Sequence, residues 1–151
     1  MPSDTDDTTR RGALQGTAAV PNVAGVWKLV GGSMTAADGK SVGVPYGPRG
    51  MGLVSLTSDG RMMAVLIDGR AELPDGARRE YSSYCGNYTF DGSTLVTTVD
   101  ASSDPARLAS QQVRKVRFDG ERMILVPPER EQDGMRIHRE LVWERISSVS
   151  L

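Results

Sequence analysis

The chain of 151 residues has few of the residue types that build metal sites and covalent catalytic sites. It contains one cysteine, Cys85, so an internal disulfide and a cysteine-based metal cluster are both excluded. It contains one histidine, His138, whereas a catalytic zinc usually takes more than one. A Ser-His-Asp triad would need that same histidine, which we expect on the surface. We interpret Cys85 as a structural thiol, and we predict neither a metal nor a cofactor.

The chain also lacks an excess of either charge and any long apolar run. Its 18 basic and 19 acidic residues nearly balance, and no run of one sign stands out. This argues against nucleic acid or an anionic membrane as the main partner. No apolar stretch approaches the ~18 residues of a membrane span. We expect a cytoplasmic protein that acts as a monomer or a homodimer.

Glycine is plentiful, with 17 residues, and it often follows aspartate. Asp-Gly accepts the positive backbone angles of hairpin turns, so these pairs predict short strands in hairpin order. We predict an all-β fold, a single antiparallel eight-stranded barrel over residues 22–148, with a short helix or lid at one end. Residues 78–85 are the candidate helix, and the polar tail 1–21 is a possible lid. The predicted strands are 24–34, 51–57, 61–67, 86–91, 94–101, 111–118, 122–127 and 136–146.

Two tryptophan-containing stretches mark the first and last strands. Gly25, Trp27 and Leu29 share one face at period two, and the glycine lets neighbouring backbone come close beside the large ring. The last strand supplies Trp143 and an arginine, Arg145, which is able to stack on a ring. We predict that the two strands meet and close the barrel.

Period two also predicts which side chains point inward. Polar residues fall on two of these inward faces, since Arg114 shares a face with Phe118 and Arg139 shares one with Trp143. A buried guanidinium needs acceptors for its five donors, and inside a barrel these are protein groups, water or a ligand oxygen. The predicted inward sets are Met62, Ala64, Leu66; Gly86, Tyr88, Phe90; Leu95, Thr97, Val99, Ala101; Gln112, Arg114, Val116, Phe118; Met123, Leu125; and Arg139, Leu141, Trp143. In the strand 61–67 both faces are apolar, and Met63, Val65 and Ile67 are the alternative inward set.

Five motifs in order resemble the bacterial and fungal lipocalin-like domain family over residues 23–146. They are Gly25-Val26-Trp27-Lys28-Leu29-Val30, Thr57-Ser58-Asp59-Gly60-Arg61-Met62, Cys85-Gly86-Asn87-Tyr88, Gln112-Val113-Arg114 and Leu141-Val142-Trp143-Glu144-Arg145. The resemblance implies an eight-stranded antiparallel barrel with a central cavity, and it implies no single reaction. Related small barrels in polyketide pathways include cofactor-free cyclases. Many members carry a histidine near position 97, where this chain has Thr97-Thr98, so a base at that point is not implied.

The functional hypothesis places Arg114 and Tyr88 in catalytic roles, with Arg114 holding an enolate, a carboxylate or a 1,3-dicarbonyl. The alternative is a structural Arg114 satisfied by backbone carbonyls or a carboxylate. The predicted ligand-binding residues are Gln112, Thr97, Tyr84, Met62, Met123, Arg139 and Trp143.

Three functions fit this pattern. The first is an enzyme that binds a mostly apolar small molecule and promotes a cofactor-free cyclisation or isomerisation, restricting the substrate to a reactive conformation. The second is a non-catalytic binder or carrier with the same cavity. The third is an interaction domain whose barrel is filled by its own side chains.

Overall fold

The computed structural model describes residues 22–147, and this part of the chain is built from strands. The predicted tail 1–21 lies outside the described residues. One 3₁₀ turn, Pro105–Arg107, is the helical element of the described part. No helix there has the length and apolar character needed to cross a membrane. The strands are β1 Gly25–Ala36, β2 Ser41–Gly43, β3 Gly50–Leu56, β4 Arg61–Asp68, β5 Tyr81–Phe90, β6 Thr94–Ser102, β7 Gln111–Asp119, β8 Arg122–Val126, β9 Arg130–Gln132 and β10 Met135–Arg145.

Eight of these strands form a closed antiparallel barrel, which confirms the predicted fold class. The order is β1-β3-β4-β5-β6-β7-β8-β10, and β10 pairs with β1 to close the circle. The short strand β2 pairs with the end of β1, and the short strand β9 pairs with the start of β10, at the same end of the barrel. Closure pairs Trp27 with Arg145 and Leu29 with Trp143, so the first and last barrel strands meet as predicted.

The seam between β1 and β10 explains the Gly-x-Trp pattern. The Arg145 guanidinium lies 4.3 Å from the Trp27 ring centroid, and it donates to the carbonyl oxygens of Ala24 and Asn22. Trp27 Nε1 donates to the Val23 carbonyl at 2.9 Å. Gly25 has φ +136°, and a Cβ there would collide with the Arg145 guanidinium. The backbone angle therefore favours glycine at this position, and a larger residue would have to displace the stacked arginine.

The inward faces follow the predicted alternation with one exception. Met62, Leu95 and Met123 are buried in one core with Trp27 and Trp143. Ala101 is exposed rather than inward. The cause is a β-bulge, because Gly86 pairs with Val99 but Cys85 pairs with Ala101. The extra residue reverses which side chains at the end of β6 point inward. A strict period of two does not predict this reversal.

The helix considered for residues 78–85 is wrong. Strand β5 begins at Tyr81, which pairs with Ile67 of β4, and it continues through Cys85. The paired strand offers a full ladder of backbone hydrogen bonds, and this outweighs the local preference of a short polar stretch. As a consequence Ser82 and Tyr84 belong to the barrel wall.

The two ends of the barrel differ in their connections. Tight turns at 57–60, 91–93 and 120–121 join strands at one end, which we call the packed end. Longer connections at 69–80 and 103–110, together with β2 and β9, surround the opposite end, which we call the mouth. Large residues such as Trp27, Leu56 and Leu95 fill the packed end. Within residues 22–147, the space inside the barrel lies toward the mouth.

Candidate functional site

A small cavity of about 40 Å³ lies inside the barrel below the mouth. Such a space holds about three waters or one small ligand group. Its floor and walls are apolar, and the polar residues collect toward the mouth, where they form what we call the cavity rim. The rim is Tyr46, Ser82, Tyr84, Arg107, Arg114 and Arg139. The apolar lining is Val54, Met62, Ala64, Leu66, Leu125, Pro127, Leu141 and Trp143.

Arg107 reaches the rim from the 3₁₀ turn between β6 and β7. Asp104 caps this turn by accepting a hydrogen bond from the Ala106 backbone N–H at 3.0 Å. The Arg107 guanidinium lies 5.6 Å from the Tyr84 ring centroid and donates to Ser82 Oγ at 3.2 Å. The turn and the aromatic ring together hold this cation at the entrance.

Arg114 is inward-facing, as predicted, and its neighbours orient it. Its Nη2 donates to Gln112 Oε1 at 3.3 Å, and its Nη1 donates to the Val113 carbonyl at 2.8 Å. Gln112 Nε2 in turn donates to Ser110 Oγ at 3.0 Å. Gln112 therefore positions Arg114 within the structure, and it does not itself line the cavity.

Arg139 is the least satisfied group of the rim. Its Nε is buried and has no hydrogen-bond partner. Burial is the largest influence on this guanidinium and lowers the pKa of Arg139; the nearby cations Arg130, Arg114 and Arg107 lower it further, while Tyr46 acts in the opposite direction. Among residues 22–147, no carboxylate lies within ion-pair distance of Arg107, Arg114 or Arg139. The rim is therefore a cluster of three cations without a counter-charge from the described chain.

Tyr46 and Arg107 belong to this site, although sequence reasoning placed neither there. Tyr46 lies in the 44–49 connection with φ 62°, and burial raises the pKa of its hydroxyl. Its backbone N–H donates to Glu80 Oε2 at 3.3 Å. Both residues lie in connections without a strand period, so no facing pattern could identify them. A tyrosine between two prolines was the only signal available.

The predicted site residues divide into two groups. Arg114, Arg139, Tyr84, Met62 and Trp143 line the cavity together. The others lie elsewhere. Thr97 and Met123 are in the solid core, 1% and 0% exposed. Tyr88 is at the packed end, where its hydroxyl donates to the Thr57 carbonyl at 2.6 Å and burial raises its pKa.

Cys85 and His138, the two residues with classical nucleophile or base chemistry, lie on the outer wall. Burial raises the pKa of Cys85, and the Asp100 carboxylate 3.4 Å from its Sγ raises it further. His138 Nε2 lies 2.8 Å from Glu140 Oε2 and borders an outer groove of about 420 Å³. Within residues 22–147, no three His, Cys, Asp or Glu side chains are grouped so as to hold a metal ion.

Comparison with known proteins agrees with this architecture. No curated protein and no solved structure matches the chain. A family model described as a lipocalin-like domain matches residues 24–146, from the residue before β1 to the residue after β10. The match spans all eight barrel strands and most of the sequence. The chain therefore belongs to the lipocalin-like domain family.

Proposed function

We propose that this barrel binds a mostly apolar small molecule through its mouth and promotes its cofactor-free cyclisation or isomerisation, in polyketide-type secondary metabolism. A lipocalin-like barrel by itself suggests small-molecule binding. The observation that carries the proposal is the two-part lining of the cavity, with apolar side chains below and guanidinium and phenol groups above. Such a lining suits a ligand with an apolar body and an oxygen at one end.

The rim offers chemistry that needs no nucleophile. A guanidinium aimed at a carbonyl oxygen stabilises the negative charge that develops there as an enolate forms. Arg114 is already oriented for this role by Gln112, and the charges of Arg139 and Arg107 act on the Tyr46 hydroxyl. The rigid wall would restrict the substrate to a few conformations, which lowers the entropic part of the barrier.

The size of the cavity favours a second candidate, a non-catalytic binder. About 40 Å³ is far below the roughly 300–1,000 Å³ of pockets that enclose whole ligands. A larger substrate must therefore displace the connections around the mouth or insert only one group. A carrier that binds only the head group of its ligand needs no larger cavity than this one.

Mass spectrometry of small molecules that co-purify with the full chain tests the proposal. We expect a low-molecular-weight compound with the native chain and a reduced amount with Arg114→Leu. Arg122→Leu is the matched control, because that arginine is on the outer wall and its side chain is 57% exposed. A compound lost equally from both variants would contradict binding at the mouth.

Incubation of the recovered compound with fresh protein separates the two candidates. Conversion to an isomer of the same mass supports the enzyme, with Arg114→Leu slower than Arg122→Leu. If the compound is bound and recovered unchanged under all conditions, the catalytic proposal fails and the carrier remains.

A further inference from the structure

We propose that the cavity rim recognises a negatively charged ligand group, namely the carboxylate of a small organic acid, and that Arg139, Arg107 and Arg114 hold it jointly. This inference rests on the proposed function, since it assumes that a small molecule enters the mouth. It goes further by fixing the charge of the ligand and by assigning a binding role to Arg107.

The first support is the charge of the rim. Three guanidinium groups line one small cavity, and arginine stays protonated in proteins. Glu80 is the carboxylate that contacts Tyr46 at the mouth, but it accepts a backbone N–H and forms no ion pair with the three arginines. Like charges brought together in a partly buried space repel one another, so a bound anion would relieve the repulsion.

The second support is a set of donors without acceptors. Within residues 22–147, the buried side-chain atoms that lack a hydrogen-bond partner are Arg139 Nε and Trp143 Nε1, and both residues line this cavity. Trp143 is 1% exposed, so its N–H does not reach bulk water. Both atoms are donors only. What completes the cavity must therefore supply acceptors, as a carboxylate does directly or through a water bound with it.

The third support is shape. Arginine offers two parallel N–H groups that match the two oxygens of a carboxylate. A carboxylate fits a space for about three waters, and the body of the acid would extend from the mouth. Arg114 and Arg107 are pre-oriented by Gln112 and Ser82, so little side-chain freedom is lost on binding.

Two probes of equal shape test the charge requirement, 3-phenylpropanoate and its neutral amide, 3-phenylpropanamide. Both are titrated into the full chain and followed by NMR shifts of the residues at the rim. We expect the carboxylate to bind at least about tenfold more tightly than the amide, with the preference falling as salt is raised. The preference should disappear in Arg139→Met and weaken in Arg107→Met.

Arg136→Met is the matched control. Arg136 lies on the same strand as Arg139, is exposed, and pairs with Glu129 at 3.3 Å. The Arg136→Met substitution removes one positive charge from the outer wall and should leave the preference for the carboxylate over the amide unchanged. Arg139→Lys guards against a folding defect, since it keeps the charge without the planar fork and should retain part of the preference.

The outcomes distinguish this inference from the proposed function. Equal binding of both probes at the rim overturns the anion assignment and leaves small-molecule binding intact. Inorganic phosphate that binds more tightly than the carboxylate at the same residues also overturns it, in favour of a phosphate site. A loss of preference in Arg136→Met equal to that in Arg139→Met would reduce the effect to overall charge. If neither probe binds and no compound co-purifies, the proposed function fails as well.

Discussion

Arginines on the outer wall of the barrel have carboxylate partners, and those inside it have none within residues 22–147. On the outer wall, Arg117 pairs with Glu140 at 2.6 Å, Arg61 with Asp100 at 2.5 Å and Arg136 with Glu129 at 3.3 Å. At the cavity rim, Arg114 and Arg139 have no such partner in the described chain. The outer cations are satisfied by the protein alone, whereas the inner ones lose hydration without gaining a counter-charge. The outer ion pairs are therefore expected to contribute to stability, and the inner cations to the proposed ligand binding.

The packed end should give the largest loss of stability. Replacing Trp27 by alanine removes a ring that is 2% exposed, leaves a cavity and frees Arg145 from its stacked position. We expect Trp27→Ala to lower the free energy of unfolding by about 4 kcal/mol in denaturant titration. Val30→Ala on the outer face of the same strand should change it little. A comparable loss of unfolding free energy in Trp27→Ala and Val30→Ala would show that burial at the packed end does not account for the effect.

The outer pair Arg117–Glu140 should give a smaller and acid-sensitive effect. The bidentate contact with Arg117, helped by His138, lowers the pKa of Glu140 from 4.5 to about 2. A lowered carboxyl pKa stabilises the fold above pH 4.5, and this contribution is lost as the pH falls toward 2. Glu140→Gln should therefore cost about 1–2 kcal/mol at neutral pH, after allowance for the exposure of Arg117.

Unfolding curves from pH 7 to pH 2 check this prediction. The difference between the native chain and Glu140→Gln should shrink steadily below pH 4.5. Glu144→Gln is the control, because its partner Arg122 is 3.9 Å away and both side chains are more than half exposed. A difference that stays constant down to pH 2 would rule out the ion pair as its origin.

Replacement of the inner cation Arg139 should raise the free energy of unfolding, whereas the substitutions at Trp27 and Glu140 should lower it. Arg139→Met replaces a partly buried, unpaired guanidinium with an apolar side chain of similar length, so the free energy of unfolding should rise by about 1 kcal/mol. The same substitution is expected to remove the preference for the carboxylate over the amide, so it tests whether stability and ligand binding depend on different arginines. Loss of stability in Arg139→Met would indicate a structural partner and would contradict that separation.

The smallest effect is expected at Arg61. Its pair with Asp100 is exposed on both sides, 44% and 52%, and solvent and salt screen it. Arg61→Met should leave the midpoint of thermal unfolding unchanged within error. A marked drop would mean that Asp100, once released, disturbs the bulge beside Cys85.

The inward faces of regular strands were predictable from the sequence, because their residues alternate. Bulges and the paths of the connections were not, because they follow no such alternation. Alternation predicted the inward faces of β7 and β10, and hence the cavity positions of Arg114 and Arg139. In β4 both faces are apolar, so alternation alone did not decide that Met62 points inward. Alternation failed at Ala101, where a bulge adds one residue, and at 81–85, where pairing with β4 decides the conformation. Arg107 and Tyr46 reach the rim from connections, and only the path of the backbone reveals them.

The seam between β1 and β10 has a consequence for biosynthesis. Its stacked corner joins Arg145 to Ala24 across 121 positions of the chain. Until β10 has left the ribosome, β1 and β8 each keep one unpaired edge. The growing barrel is then an open sheet whose edge strands are able to pair with other chains. Folding that ends with such a distant contact is slow. Chains that stop before β10 should therefore aggregate or engage chaperones instead of forming a smaller barrel.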